Sequence, residues 1–152
     1  MRTTFRIATI DDLPSIVSML ADDFLGQQRE DVSEPLNDNY IKAFREIEAD
    51  PNNELIVAEL DGKIIGTLQL VVTPSLSYKG SKRSIVESVR IDSAFRGKGT
   101  GREMMMWTIE RAKGKGCASM HLTSHKDRGD AHRFYEKLGF AKSHVGMKLT
   151  LK

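Results

Sequence analysis

Arg96-Gly97-Lys98-Gly99-Thr100-Gly101 is the stretch of this chain most able to do chemistry. Placed between a strand and a helix, its backbone N–H groups and the positive end of the helix dipole converge on one point, where an anion such as a phosphate is stabilised. Glycine matters there because a Cβ would keep the phosphate off the backbone. Two phosphate motifs fail by position. The Walker pattern needs Ser or Thr after Gly-Lys, but Lys98 is followed by Gly99. The dinucleotide pattern needs Gly at Arg102 when counted from Gly97, or at Met104 when counted from Gly99. Other reactive side chains are sparse. His121 and His125 are four apart on a strand running into a loop, where that spacing does not bring the rings together, so no metal site is expected. The single Cys117 precedes an apolar strand and reads as buried filler rather than a nucleophile.

The elements that must position this loop follow from periodicity. Phe5–Ala8 reads as a first strand, and Thr9 with Asp12 three residues later as a capping-box start of a helix running to about Leu20. Residues 22–38 lack periodicity and are acid-rich, as a loop or broken helix would be, before a second helix near Tyr40–Ala49 that Asp50-Pro51 stops. Glu54–Leu60 and Lys63–Val72 form two strands joined at Asp61-Gly62 by a type I′ turn. Tyr78–Arg83 makes a solvated hairpin tip, and Ile85–Ile91 a further strand. From Thr100 to Lys113 a helix carries Met105, Thr108, Ile109 and Ala112 on one buried stripe. Cys117–Thr123 is a strand. Asp130–Leu138 is a helix with Ala131, Phe134, Tyr135 and Leu138 at the same spacing, capped by Gly139. The tail, Phe140–Leu151, is expected to add one or two last strands. The order implies an α/β fold with a mixed central sheet and helices on both faces.

Composition narrows the class. With 152 residues, 39% hydrophobic and 29% charged, the chain is expected to be one domain over residues 1–152 that holds a core without a disulfide or metal staple. Asp11 and Asp12 interrupt any secretory apolar stretch, and no run approaches the ~18 apolar residues of a membrane span, so a soluble cytoplasmic protein without membrane association is expected. A net charge of +2 argues against a dedicated nucleic-acid binder, and no direct nucleic-acid partner is expected. The charge is unevenly spread: residues 1–50 carry −6 and residues 51–152 carry +8. Solvated helix faces explain that split as readily as two sites of opposite preference, cationic and polyanionic.

Arg96-x-x-Gly99-x-Gly101 after Val89-Arg90-Ile91-Asp92 resembles the acetyl-CoA pyrophosphate loop of the GNAT-type N-acetyltransferase superfamily. Downstream, Phe134-Tyr135-Glu136-Lys137-Leu138-Gly139-Phe140 is similar to that superfamily's second block. The resemblance is strong over residues 85–140. It implies the superfamily's fold, acetyl-CoA as cosubstrate with no metal, and transfer of an acetyl group to the primary amine of a small molecule by direct attack in a ternary complex. It further implies that backbone groups of Val89, Arg90 and Ile91 pair with the pantetheine arm, and that Arg96, Gly97, Lys98, Gly99, Thr100, Gly101 and Arg102 wrap the pyrophosphate. A homodimer is left open. Ten Lys and Arg between residues 96 and 137 suit a donor bearing several phosphates.

An amine of pKa about 10.4 must first lose a proton, at about 4.6 kcal/mol at pH 7, so a base is useful. Glu87, two residues before Val89 and on the same face of an uninterrupted strand, is the candidate. A histidine (His125 or His132) or a water chain stays open, and His144 reads as structural. By resemblance Tyr135 is the general acid that protonates the departing thiolate; on the residues alone it is equally a core tyrosine with one hydrogen-bond partner. The acids Asp22, Asp23, Glu30, Asp31 and Glu34 favour a cationic acceptor if they fold over the site. Asp130–Tyr135 with Ser143-His144 instead resembles the aminoalkylphosphonate N-acetyltransferases, whose acceptors are anionic. The rival from another class is a module that senses acyl-CoA without consuming it, in a regulatory or transcription-associated role.

Overall fold

A computed structural model describes residues 2–23 and 25–152; Met1, and Phe24 in the expected loop, lie outside them. The chain groups into two compact units, residues 1–121 and 122–152. In chain order the elements are β1 (Thr4–Ile7), α1 (Leu13–Ala21), the short turn α2 (Gly26–Arg29), α3 (Asp38–Ala49), β2 (Asn53–Leu60), β3 (Lys63–Thr73), the turn α4 (Ser77–Gly80), β4 (Lys82–Ile91), α5 (Thr100–Gly114), β5 (Cys117–His121) and α6 (Gly129–Lys137). No helix is long and apolar enough to cross a membrane among the described residues.

The first unit is a five-stranded sheet in the order β1-β2-β3-β4-β5, antiparallel except for the parallel β4–β5 pair. Asp61 and Gly62 both have positive φ, as a type I′ turn requires, so β2 and β3 pair as expected. One sheet face buries Val57 against α1 and α3, whose Leu13, Ile16, Met19 and Phe44 form its core. On the other face α5 packs on β3, β4 and β5 with Met104, Met105, Thr108 and Ala112 inward. Helices therefore cover both faces, and the expected stripe is found, with Met104 more deeply set than Ile109. Glu54 on the α5 face accepts from Arg111 Nε and Nη2 at 2.5 and 2.7 Å and lies 3.3 Å from Lys115 Nζ. Hydrogen bonding from Arg111 outweighs burial and holds the Glu54 carboxyl below the usual carboxylate range.

The start of α1 is tied by charge. Thr9 N–H donates to the Asp12 carboxylate at 2.7 Å, the back-bond of a capping box, and Arg6 donates to both Asp12 oxygens and to Glu59. Burial opposes ionisation of Asp12, but the Arg6 and Thr9 hydrogen bonds prevail and lower its pKa.

In the second unit α6 keeps Ala131, Phe134, Tyr135 and Leu138 half-buried, and Gly139 follows it with φ +104° as a C-terminal glycine should. The tail departs from expectation: residues 141–152 form no strand. Its apolar residues do alternate, but a strand also needs a neighbour to exchange backbone hydrogen bonds with, and none pairs with it among the described residues.

Candidate active site

β4 carries the first unit's distinctive geometry. Its parallel pairing with β5 runs only from Lys82 to Ile85. Beyond Ile85 no strand pairs with that side of β4 among the described residues, leaving an open edge through Ile91. On its other side the register slips: Gln69 lies opposite Glu87, but Thr67 lies opposite Arg90. The extra residue is accommodated at Ser88, whose φ of +54° is left-handed. This is a β-bulge, a device that re-aims side chains beside functional sites.

The bulge corrects the expected face of Glu87. Directly opposed residues point to the same side of a sheet. Gln69 and Thr67, two apart on β3, share the α1/α3 face, so Glu87 shares it with Arg90 rather than with Val89. The period-two rule fails because the strand is not uninterrupted. Arg90 donates from Nη1 to the Val89 carbonyl at 2.9 Å, and its Nε lies 3.9 Å from an Asp23 carboxylate oxygen.

Past Ile91 the chain makes one 3₁₀ turn, Ser93–Phe95, opened by Asp92 accepting from Ala94 N–H, and enters the glycine loop. Gly97 and Gly99 have φ of +75° and +88°, and an added Cβ would meet nothing within 4 Å at either. Glycine is thus needed for backbone conformation there, and the surface above it is open. Gly99 precedes the fifteen-residue α5, and its carbonyl accepts from Glu103 N–H at 3.0 Å. The amides of Thr100, Gly101 and Arg102 have no acceptor in the helix, as at any α-helical N-terminus. The Arg96 guanidinium is turned to bracing: Nε donates to the Ile91 carbonyl at 3.1 Å and Nη2 to the Asp22 carbonyl at 3.3 Å, with the Asp22 carboxylate 3.8 Å away. Lys98 Nζ stands over the Phe95 ring, 5.6 Å from its centroid.

On the α1/α3 face a cleft of about 140 Å³ opens beside the bulge. Ile16, Leu20, Phe44, Ile47 and Leu55 form its apolar wall, and Tyr40, Thr67, Gln69 and Ser88 its polar groups; no charged residue lines it. Tyr40 donates from its hydroxyl to Glu30 at 2.8 Å and accepts from Asp31 N–H at 2.9 Å. Burial, with Glu30 alongside, raises its pKa and keeps it protonated. The acid-rich stretch does not line this cleft. Asp22 and Asp23 lie beside Arg96 and Arg90, Glu30 meets Tyr40, and Asp31 accepts from Ser33 N–H and Asn37. Neither the cleft nor the bulge was foreseen; Ser88-Val89 has none of the glycine that marks many bulges.

Tyr135 belongs to the second unit, half-buried between Phe134 and Phe140 with edge-on ring contacts at 5.1 and 5.8 Å. In the same unit His132 Nε2 lies 2.9 Å from the His125 carbonyl, and the exposed His144 Nδ1 pairs with Ser143 at 2.7 Å. Cys117 opens β5 half-buried.

A family model described as the acetyltransferase (GNAT) family matches residues 13–140. A solved chain titled a transcriptional regulator from Bacillus halodurans C-125 is 51% identical, with a TM-score of 0.96 over 99% of this chain and 100% of that one. Among curated relatives, the glucosamine 6-phosphate N-acetyltransferase of Trypanosoma brucei brucei is 33% identical over 59% of each chain. The aminoalkylphosphonate N-acetyltransferase of Salmonella typhimurium is 30% identical over 62% of this chain and 61% of that one. The matches to these two enzymes thus span about three fifths of their lengths.

Proposed function

The chain belongs to the acetyltransferase (GNAT) family, and from that premise we propose that it moves an acetyl group from acetyl-CoA to the primary amine of a small molecule by direct attack. The observation that carries this is the continuity of β4: an open strand edge from Val86 to Ile91, bulged at Ser88, leads within one turn to a positive-φ glycine loop and the amides opening α5. An extended amide-bearing arm matches the first and a diphosphate the second. Val89 to Ile91 hold the arm, and the backbone from Arg96 to Arg102 holds the diphosphate.

Transfer then needs a neutral amine, a polarised thioester and a place for the thiolate's charge. Glu87 takes the amine proton, directly or through water. The amine nitrogen bonds to the thioester carbon, the carbon–sulfur bond breaks as Tyr135 gives its proton to the departing sulfur, and the nitrogen sheds its second proton to solvent to become the amide while Tyr135 is reprotonated from solvent. The acceptor enters from the cleft beside Ser88. That cleft has an apolar wall and no lysine or arginine to hold a phosphate, which favours an acceptor with an uncharged apolar body over the phosphorylated or phosphonate acceptors that the relatives' names print.

Thiol release from acetyl-CoA over a panel of amines tests this. Turnover is expected with aliphatic or aromatic alkylamines and little with glucosamine 6-phosphate or aminoalkylphosphonates; preference for the anionic acceptors would remove the acceptor assignment and leave the reaction. One finding favours the second reading, an acyl-CoA sensor: the solved relative at 51% identity is titled a transcriptional regulator. Donor binding with no thiol release on any amine would select it.

A further inference from the structure

We propose that Gln69 positions the acceptor amine: its side-chain carbonyl Oε1, held in one direction by Asp50 through Asn53, accepts an N–H of the amine beside Glu87. The direction follows from which groups can donate. The Asp50 carboxylate can only accept, and it receives Asn52 N–H at 2.8 Å and Asn53 Nδ2 at 3.1 Å. Those hydrogen bonds, from the Asn52 backbone first, hold its carboxyl below the usual carboxylate range. With Nδ2 committed to Asp50, Asn53 turns Oδ1 toward Gln69, and Gln69 must answer with Nε2, which donates at 2.7 Å. Oε1 is thereby fixed on the other side of the amide. It is not buried, and it has no hydrogen-bond partner among the described residues.

Its place in the fold gives that oxygen a use. Gln69 lines the cleft and lies directly opposite Glu87 across the β3–β4 pair, an arrangement that sets Cβ atoms about 5 Å apart. The other polar side chains of the cleft are engaged or have no fixed direction. The Tyr40 hydroxyl joins Glu30 to Asp31 N–H, the Thr67 hydroxyl donates to the Ile56 carbonyl at 3.1 Å, and the hydroxyl of the exposed Ser88 rotates. The inference rests on the proposed acetyl transfer and deepens it. A primary ammonium carries three protons: one passes to Glu87, one leaves for solvent and the third stays on the amide. Gln69 bonds the proton that stays, so the nitrogen is steadied from arrival to product. An alcohol has a single proton, which the base must take, and it leaves Gln69 nothing to accept. The site therefore selects nitrogen acceptors.

Steady-state kinetics with the alkylamine that the native chain turns over fastest, read beside melting temperature, tests it. Gln69→Met, close in shape but without the oxygen, is expected to lower kcat/KM for the amine by about 10- to 100-fold, with KM for acetyl-CoA and the melting temperature unchanged. Asn53→Leu and Asn53→Asp both lose the bond to Asp50, yet only the aspartate still accepts from Gln69 Nε2. Asn53→Asp is therefore expected to recover most of the amine kcat/KM that Asn53→Leu loses. An unchanged amine kcat/KM in Gln69→Met overturns the proposal. So does a matching rise in KM for acetyl-CoA, or equal losses in the two Asn53 variants, each the mark of a purely structural tie. Should Gln69→Met not fold, the Asn53 pair decides alone. Should the native chain release no thiol with any amine, the proposed reaction fails, and calorimetry of benzylamine into protein saturated with coenzyme A decides instead. Binding weakened in Gln69→Met keeps Gln69 as an amine contact, whereas binding that is unaffected or absent overturns that as well.

Discussion

Glu87 and Tyr135 divide the proton transfers of the proposed reaction, and their substitution should leave different traces. Glu87→Gln is expected to slow turnover at neutral pH by about 100-fold. The deficit should narrow as pH climbs toward the acceptor's own pKa of about 10.4, because a free amine no longer needs a base. A constant deficit across pH would show a structural role instead. Tyr135→Phe is expected to slow transfer by about 10- to 100-fold, at or just below the usual range for acid catalysis, since a thiol of pKa about 8.5 is already a fair leaving group. An unchanged rate would return Tyr135 to the aromatic packing that Phe134 and Phe140 already give it. At this scale the residue types were readable from the chain, but their directions were not. The bulge at Ser88 puts Glu87 on the face of Arg90, and no local signal marks where a strand absorbs an extra residue.

Among elements, the glycine loop and α5 make the sharpest case. Gly99→Ala meets no atom within 4 Å, so its cost is conformational, about 1–2 kcal/mol for a Cβ at left-handed φ. Thermal melting should register that loss, and titration should show weaker donor binding, because the loop relaxes away from the α5 amides. A variant with unchanged melting and unchanged binding would mean the loop does not depend on its backbone conformation. The sheet offers a parallel test: Glu54→Gln forfeits charge-assisted hydrogen bonds to Arg111 and should destabilise by about 1–3 kcal/mol in denaturant titrations. Elements with their own punctuation were legible in advance. Thr9 with Asp12 announced the entry to α1, Asp61-Gly62 the β2–β3 turn, and Gly139 the end of α6. The tail was misread because alternation reports only which face a strand would bury, and pairing depends on a neighbour that sequence does not name.

For the whole molecule, acid stability follows from the tied carboxylates. Asp12 and Glu54 both have pKa values below the usual carboxylate range when folded. In the window between their folded values and the unfolded value near 4, the unfolded chain binds more protons, so stability rises with pH there and is lost as pH falls through the folded pKa values. Melting temperature should be level from neutral pH to about pH 5 and drop below it, less steeply in Glu54→Gln; equal slopes would assign the acid loss elsewhere. The proposed reaction rests on one interaction, the proposed hold of the β4 edge and the glycine loop on a nucleotide-linked thioester. Calorimetric titration of acetyl-CoA, and then of free coenzyme A, into the purified chain tests that hold most directly. Saturable binding of both is expected, weakened in Gly99→Ala, whereas no detectable heat or association with either would contradict the assignment.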